Sequence, residues 1–404
     1  MLFSQLNILD WTLLGTLAVL FVVQIYFYGR YMSAPSRRIR KDKKSEISNQ
    51  QSAITEGVSV VLCAHNEGEN LSRVLPILLT QDYPEYEVIV VDDGSEDNTR
   101  LVIEGYMTHD PRLRMTFVPY GARVGSTKKL ALTLAAKAAR YDYLLLTDAD
   151  CVPESAHWIR EMMSGFQSPI EIVLGFGAYF EEKGHVNRLV RFDTLFNGLH
   201  YLGAALCGHP YMGVGRNLAY RKSLFFESGG FTHLMTNKAG DDDLFVNHVA
   251  TKKNTAVEVN PESYTWSESK KTLKEWWQQK RRHLSVSPSY RTETKVRLAL
   301  EPLTRGLFYL TVIATIIYAC LNYECPITNF QLPITNWNFG LWELLLSVAV
   351  GLFLVRWIVQ TAVLNVSARR MGLKRFGMWS VLWFDITLPL VNLWMLTVKR
   401  KYKW

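Results

Sequence analysis

At 404 residues and 46.4 kDa, with 48% hydrophobic and 20% charged residues, the chain is too apolar for a disordered or collagen-like polypeptide and long enough for one large domain or two ordinary ones. A net charge of +8 and a pI near 9.1 fit either nucleic acid or an anionic membrane face. The five cysteines (Cys63, Cys151, Cys207, Cys320, Cys325) form no CxxC pair, which argues against a zinc site or a disulfide framework.

Residues 8–28 (ILDWTLLGTLAVLFVVQIYFY) carry a single charge, Asp10, and match the ~20 residues that a spanning helix needs. No Lys or Arg precedes the run, so it reads as an uncleaved anchor rather than a signal peptide. Between Arg30 and Lys44 seven basic residues meet one acid, Asp42. That flank is expected on the cytoplasmic side, with the N-terminus outside. Residues 1–30 are therefore expected as an anchor and 31–56 as a basic, polar linker. The basic excess beside apolar runs favours membrane lipids as a partner and no nucleic acid.

From Gly57 the pattern changes. VSVVLCAH (58–65), EVIVVDDGS (87–95), RMTFVPY (114–120) and YDYLLLTDAD (141–150) are short apolar runs. They alternate with helical stretches at NLSRVLPILLTQ, Arg100 to Met107 and Ser126 to Arg140. Such alternation predicts an α/β domain with a mostly parallel sheet, whose ligands sit at the carboxyl ends of the strands. Three of these ends carry polar clusters: His65-Asn66-Glu67, Asp92-Asp93-Gly94-Ser95 and Asp148-Ala149-Asp150. One cluster is ordinary turn chemistry; three in succession point to a site. Asp148 and Asp150 follow a buried strand, and two carboxylates so placed suit Mg²⁺ or Mn²⁺ shared with substrate phosphates. The plainer alternative is that Asp150, ahead of Pro153 and Glu154, starts the next helix.

Further along, Asp241-Asp242-Asp243 precedes the apolar Leu244-Phe245-Val246. Acidic residues stabilise a helix start, yet three crowded like charges exceed what a cap requires. A desolvated carboxylate with acidic neighbours gains proton affinity, which suits a general base. Lys274-Glu275-Trp276-Trp277-Gln278 reads as a basic, Trp-bearing amphipathic helix suited to a membrane interface; Arg282 can pair with a diphosphate in preference to lipid, while Lys270, Lys271 and Lys274 suit lipid or plain solvation.

The C-terminal region, 291–404, holds two or three hydrophobic segments. Gly306 to Leu321 is uncharged but short for a span. Leu344 to Val366 contains only Arg356 and Phe376 to Val398 only Asp385. The loop from Asn322 to Gly340 lacks Lys and Arg and fits the outside; Ser367 to Arg375 carries four basic residues and fits the inside. The tail is also basic (Lys399, Arg400, Lys401, Lys403), so the last segment either spans with a basic tail outside or folds at Pro389 into a re-entrant hairpin.

VVLCAHNEGENL, VIVVDDGSEDNT, LLLTDADCVP, GVGRNLAYRK, AGDDDLF and QQKRRH, in this order, resemble glycosyltransferase family 2, over roughly Gly57 to His283. The flanking apolar segments resemble its membrane-bound branch. The resemblance implies a GT-A (Rossmann-like) catalytic domain over 57–290, including an interfacial helix near 270–283, and an inverting, metal-dependent transfer from a nucleotide sugar, UDP-linked, to a hydroxyl acceptor that is lipid-linked or a cell-envelope glycan. It implies nucleotide contacts from Glu67, Asp92, Asp93 and Lys128, a metal pair in Asp148 and Asp150, and a loop lining the sugar pocket from Gly213, Gly215 and Asn217. It puts the family's Glu-Asp pair on Asp241-Asp242, with Asp242 as base, and Gln279, Arg282 and His283 on its Gln-x-x-Arg-Trp. Asp241 stands in place of Glu, and three successive Asp leave the register open between neighbours. His283 replaces a Trp that stacks on the acceptor in processive synthases, and Ala64-His65 replaces Pro-x-Tyr.

The expected location is the plasma or inner membrane, multi-pass, with the catalytic domain cytoplasmic. Two other classes fit the same residues: a metal-dependent nucleotidyltransferase on a similar core, and a catalytically silent membrane scaffold.

Overall fold

The apolar runs after residue 57 form the parallel half of a seven-stranded sheet. The computed structural model describes residues 6–45, 56–119, 121, 125–234, 239–322 and 340–397. The rest of the expected linker (46–55), most of the Lys/Arg-free loop with Cys325 (323–339) and the basic tail (398–404) lie outside the described residues.

In chain order, α1 (Ile8–Phe27) leads through a π turn, Tyr28–Met32, into α2 (Ala34–Ser45). The globular domain follows as β1 (Val58–Ala64), α3 (Gly68–Leu79), β2 (Tyr86–Asp92), α4 (Thr99–Met107), β3 (Leu113–Phe117), α5 (Thr127–Ala138), β4 (Tyr143–Leu146) and β5 (Val152–Pro153). Next come α6 (Trp158–Ser164), β6 (Ile172–Leu174), β7 (Gly177–Tyr179), α7 (His185–Leu206), β8 (Leu218–Arg221), α8 (Lys222–Glu227), α9 (Asp243–Val249), β9 (Thr255–Val257), β10 (Thr265–Ser267) and α10 (Leu273–Leu284). Three long helices end the described chain: α11 (Thr292–Asn322), α12 (Leu341–Arg370) and α13 (Met378–Thr397).

The large sheet runs β3-β2-β1-β4-β8-β6-β9. Strands β3, β2, β1 and β4 are parallel; β8 is antiparallel to both β4 and β6, and β6 is parallel to β9. This mostly parallel α/β sheet is the fold class the sequence predicts. Both faces of β1 and β2 are buried, which explains their near-continuous apolar runs. Val60 and Leu62 pack with α3 and α6, while Val61 and Ile89 pack with α5 and α7. The buried polar group within this layer is satisfied: the Glu87 carboxylate accepts from Ser59 Oγ (2.7 Å) and Arg140 N (2.6 Å) and pairs with Arg114 (2.7 Å).

Register brings the polar ends together. Ala64 lies beside Asp92, and Leu146 beside Val61. Because β8 is antiparallel, its entry loop, Gly213–Asn217, meets the same edge, with Leu218 beside Leu146.

Four helices are long and apolar enough to cross a bilayer by length and composition: Ile8–Lys41, Thr292–Asn322, Leu341–Arg370 and Met378–Met395. Three expectations change here. The segment read as short, Gly306 to Leu321, is the end of a 31-residue helix whose charges are hidden by pairing: Arg305 binds Glu301 (3.1 Å) and Asp385 (2.7 Å). Pro389 does not fold the last segment into a hairpin; it sits inside the continuous helix α13. The first half of the expected linker is the helix α2, tied to α12 by Arg370 donating to the Ser36 carbonyl (3.1 Å). Asp10, the one charge in the first apolar run, forms a capping box with Asn7. Gly203 of α7 lies against the π turn so closely that a Cβ there would stand 2.1 Å from the Tyr31 carbonyl oxygen.

Candidate active site

The ends of β1 and β2 are stitched by short-range bonds. Asn66 adopts φ 58°, its backbone amide donates to Ser95 Oγ (3.0 Å), and its side-chain oxygen accepts from Glu96 N (2.8 Å). Asp92 is buried and accepts from Ser95 N (3.0 Å), so it shapes the turn, while Asp93 stands half-buried beside it. Glu67 is half-buried and bound to Asn70 Nδ2. Burial raises its proton affinity, and the nearby Asp150 and Asp148 charges add to the rise.

Lys128, in the first turn of α5, is the centre of the cleft. Its Nζ lies 3.1 Å from Asp148 Oδ1 and 3.3 Å from Asp241 Oδ2. Asp148 and Asp241, in that order, hold its ammonium well above the usual lysine range. Burial works against the charge of Asp148, but Lys128, then Arg216 and Arg282, outweigh it and keep the carboxyl below its usual value. The next residue, Lys129, points away and donates to the Leu234 and Ala239 carbonyls (2.8 and 3.0 Å). It thereby anchors the segment that leads to the acidic triplet.

Asp150 is exposed, and it does not start a helix: two residues of β5 follow, and α6 begins at Trp158. Ligand atoms of Asp148, Asp150 and Cys151 lie within 4.8 Å of one another. The Cys151 thiol donates to Asp150 Oδ1 (3.3 Å) and is held protonated by burial and by the two carboxylates. The two Asp oxygens are thus the donors that fit a hard cation; the thiol is not.

The three successive Asp are separated by their surroundings. Asp241 faces Lys128. Asp242 caps α9: its Oδ1 accepts from Asp243 N (2.8 Å) and its Oδ2 from Gly215 N (2.6 Å). Burial and the neighbouring Asp241 charge push its carboxyl up to about 6. Asp243 turns inward to the Tyr290 hydroxyl, and burial followed by the Asp242 and Asp241 charges raises it well above the carboxylate range. A Cβ at Gly215 would stand 3.2 Å from Asp242 Oδ2, so the loop backbone is pressed against this carboxylate.

Asn217 does not line the pocket as expected. It is fully buried, accepting from Trp158 Nε1 (3.1 Å) and donating to the Phe176 and Ser263 carbonyls (2.9 and 2.8 Å). Its neighbour Arg216, which the sequence reading passed over, is the cation that reaches the site. It donates to the Gly177 carbonyl (2.6 Å) and Ser267 Oγ (3.1 Å) and lies 4.4 Å above the Tyr179 ring. The signal was present in the GVGRN loop, where the only charge is this arginine. Tyr179 also accepts from Gln279 Nε2 (3.0 Å), which fixes α10 at the cleft. Arg282 and His283 are both exposed on the same helix; desolvation, then the Arg282, Lys280 and Arg216 charges, lower the proton affinity of the imidazole. Lys280 is buried and grips both oxygens of Asp193 (2.6 and 2.7 Å), tying α10 to α7.

Residues 59–229 match the family model for "Glycosyl transferase family 2". The chain is 36% identical over 97 residues to a poly-beta-1,6-N-acetyl-D-glucosamine synthase of Staphylococcus epidermidis, covering 24% of this chain and 22% of that one. It is 24% identical over 239 residues to the chondroitin synthase of Escherichia coli, covering 50% of this chain and 34% of that one. The alignments thus span about a fifth to a third of the length of these relatives. Among solved structures, a mannosyltransferase from Pyrobaculum calidifontis in complex with GDP-Man and Mn²⁺ aligns with a TM-score of 0.47 at 16% identity, over 94% of this chain and 95% of that one.

Proposed function

We propose that this chain, which carries a family 2 glycosyltransferase domain over residues 59–229, is a membrane-bound inverting glycosyltransferase. It takes a sugar from a nucleoside-diphosphate donor, UDP-linked, and passes it to a hydroxyl of a lipid-linked or cell-envelope glycan acceptor. The catalytic domain lies on the cytoplasmic side of the plasma or inner membrane. The observation that carries the reading is the bridge Asp148–Lys128–Asp241. It joins three distant stretches of sequence in one cleft at the carboxyl edge of the sheet, where nucleotides bind in α/β domains.

Roles follow from position. Glu67 and Asp93 at the ends of β1 and β2 bind the nucleoside; Asp92 holds their turn. Lys128 and Arg282 meet the diphosphate and offset the charge that grows on it as it leaves. Gln279, fixed by Tyr179, orients the same group. Asp148 and Asp150 would hold Mg²⁺ or Mn²⁺, which when bound neutralises departing phosphate oxygens. Asp242 accepts the proton of the acceptor hydroxyl as that oxygen attacks the anomeric carbon from the face opposite the diphosphate, inverting it. Its raised proton affinity fits that task, whereas Asp241 is neutralised by Lys128 and Asp243 is turned into the core.

The test is a screen of nucleotide sugars with membranes containing the protein, scoring sugar transfer and free nucleoside diphosphate. Release of pyrophosphate instead would assign a nucleotidyltransferase. Absence of any turnover with all donors would favour a silent scaffold.

A further inference from the structure

Helices α1, α11 and α12 run alongside one another. Asn7 of α1 donates to the Tyr318 hydroxyl of α11 (3.0 Å) at one end, and Gln24 to Thr304 Oγ1 (2.9 Å) at the other. Arg356 of α12 reaches Gln24 (3.0 Å), and Arg370 reaches Ser36. Helix α13 follows this alignment only over its first half. Its start is fixed to the second half of α12, with Asn365 Nδ2 donating to the Phe376 carbonyl (2.9 Å) and Trp357 Nε1 to the Met378 carbonyl (3.1 Å). Seven residues later, Asp385 still binds Arg356 (2.9 Å) and Gln360 (2.6 Å). Counted from Phe376, which Asn365 binds, Asp385 lies nine residues on, and Arg356 lies nine residues back from Asn365, so the first half of α13 runs antiparallel to α12. Past Asp385, among the described residues, no hydrogen bond or ring contact joins α13 to α12.

Along its length the same helix also lies on the globular domain. Val381, Phe384, Leu388, Val391 and Met395, at spacings of three and four, share one core with that domain. Phe384 packs 4.8 Å from Phe192 of α7, and Trp394 packs 4.8 Å from Trp277 of α10. The opposite face exposes Trp379, Trp383, Leu390 and Leu393. Tryptophan on such a face is an interfacial signature.

At the start of α13 a cavity of about 780 Å³ is lined by Lys183, Arg188, Arg191, Lys374 and Arg375 against Glu181 and Glu182. Glu181 pairs with Lys374 and Arg191. Lys183, Arg188 and Arg375 face no carboxylate within 4.0 Å among the described residues. The excess of cations beside an apolar, Trp-bearing face matches the phosphate of an acidic phospholipid.

We propose that α13 lies in the plane of the cytoplasmic leaflet rather than across the bilayer, and that the cavity at its start seats an anionic phospholipid headgroup. Both basic flanks, 369–375 and 399–403, then lie on the cytoplasmic side, which removes the conflict that a fourth span creates. The arrangement holds whichever reaction the cleft carries, and it leaves α10, with Gln279 and Arg282, pressed between the domain and the lipid surface.

Two measurements on the full chain in nanodiscs test it. Spin labels at W383C, L390C and L393C should report nearly equal, shallow depths, and a C-terminal tag should be reached only from the cytoplasmic face of membrane vesicles. Depths that change steadily along the helix, or a tag reached from outside, overturn the orientation. In the second, short-chain phosphatidylglycerol is titrated into phosphatidylcholine nanodiscs. Saturable binding that weakens at least fivefold in the R188Q/R375Q double variant supports the seat. Equal binding by the variant, or competition by millimolar inorganic phosphate as strong as by the lipid, overturns it.

Discussion

Of three adjacent aspartates, each is given a different task by what surrounds it, and this makes side-by-side Asn substitution informative. Asp242→Asn keeps its shape and its capping ability, since Asn caps as well as Asp. It should lower turnover by ~10²–10⁴-fold while nucleoside-diphosphate affinity survives. Asp241→Asn should instead tighten nucleoside-diphosphate binding, because Lys128 loses a competing carboxylate, and steady-state kinetics with isothermal titration separates the two. A dead Asp241→Asn beside an active Asp242→Asn would move the base one residue upstream. Because the Asp242 carboxyl is pushed up to about 6, the wild-type rate should fall as pH drops through that value, and it should be level above it. Asp243 supplies a stability test. Its carboxyl keeps its proton in the fold well above the unfolded value, so the native chain binds more protons there. Stability should therefore decline as pH rises above about 4, and Asp243→Asn should flatten that decline. Parallel melting curves for the two proteins in detergent would show that Asp243 ionises normally. For the metal pair, Asp150→Asn and excess EDTA should each abolish turnover and weaken nucleotide binding; full activity in EDTA would remove the cation from the mechanism.

At the scale of elements, what was legible in the sequence is what repeats locally. Strand β1 was expected at 58–65 and spans Val58–Ala64; β4 was expected within 141–150 and spans Tyr143–Leu146. The polar ends of these strands announced themselves because a carboxylate after a buried run has few structural excuses. The contacts that assemble the cleft were not legible, since each joins side chains that no local pattern relates. Asn217 was placed at the pocket by the family resemblance alone, yet Trp158 claims it. Arg216 was hidden by being one unremarked charge among glycines. Lys280 reads as one more cation of a basic helix, yet it grips Asp193 on α7 in a buried pair. Breaking such a pair leaves one buried charge uncompensated, so Lys280→Met should cost about 3–5 kcal/mol and loosen α10. Lys280→Met with Asp193→Leu should recover most of that loss in thermal unfolding. If the double variant is as unstable as the single one, the pair is not what holds α10 on α7.

The whole molecule is joined by charges that each looked solitary in sequence. Arg305, Arg356 and Asp385 interrupt three apolar segments, and a lone charge in hydrocarbon is costly. In the structure they meet. Asp385 binds Arg305 (2.7 Å), Arg356 (2.9 Å), Gln360 (2.6 Å) and the Tyr309 hydroxyl, while Gln24 of α1 accepts from Arg356 (3.0 Å). Glu301 balances Arg305, so two cations face two anions and the cluster is neutral. Four helices thus share one polar centre, and α13 is held there by its single acid. Because α13 also packs on α7 and α10, the cluster links the apolar bundle to the globular domain. Asp385→Leu should leave Arg356 and Arg305 facing each other without their shared counter-charge. The expected result is a loss of about 3–5 kcal/mol and release of α13, read as protease cleavage after Arg375 in detergent. Asp385→Leu combined with Arg356→Met restores neutrality, with Arg305 kept by Glu301, and should regain protection without regaining the polar contact to α12. If Asp385→Leu alone leaves α13 protected, the helix is held by Phe192 and Trp277 instead, and the polar centre serves the bundle alone.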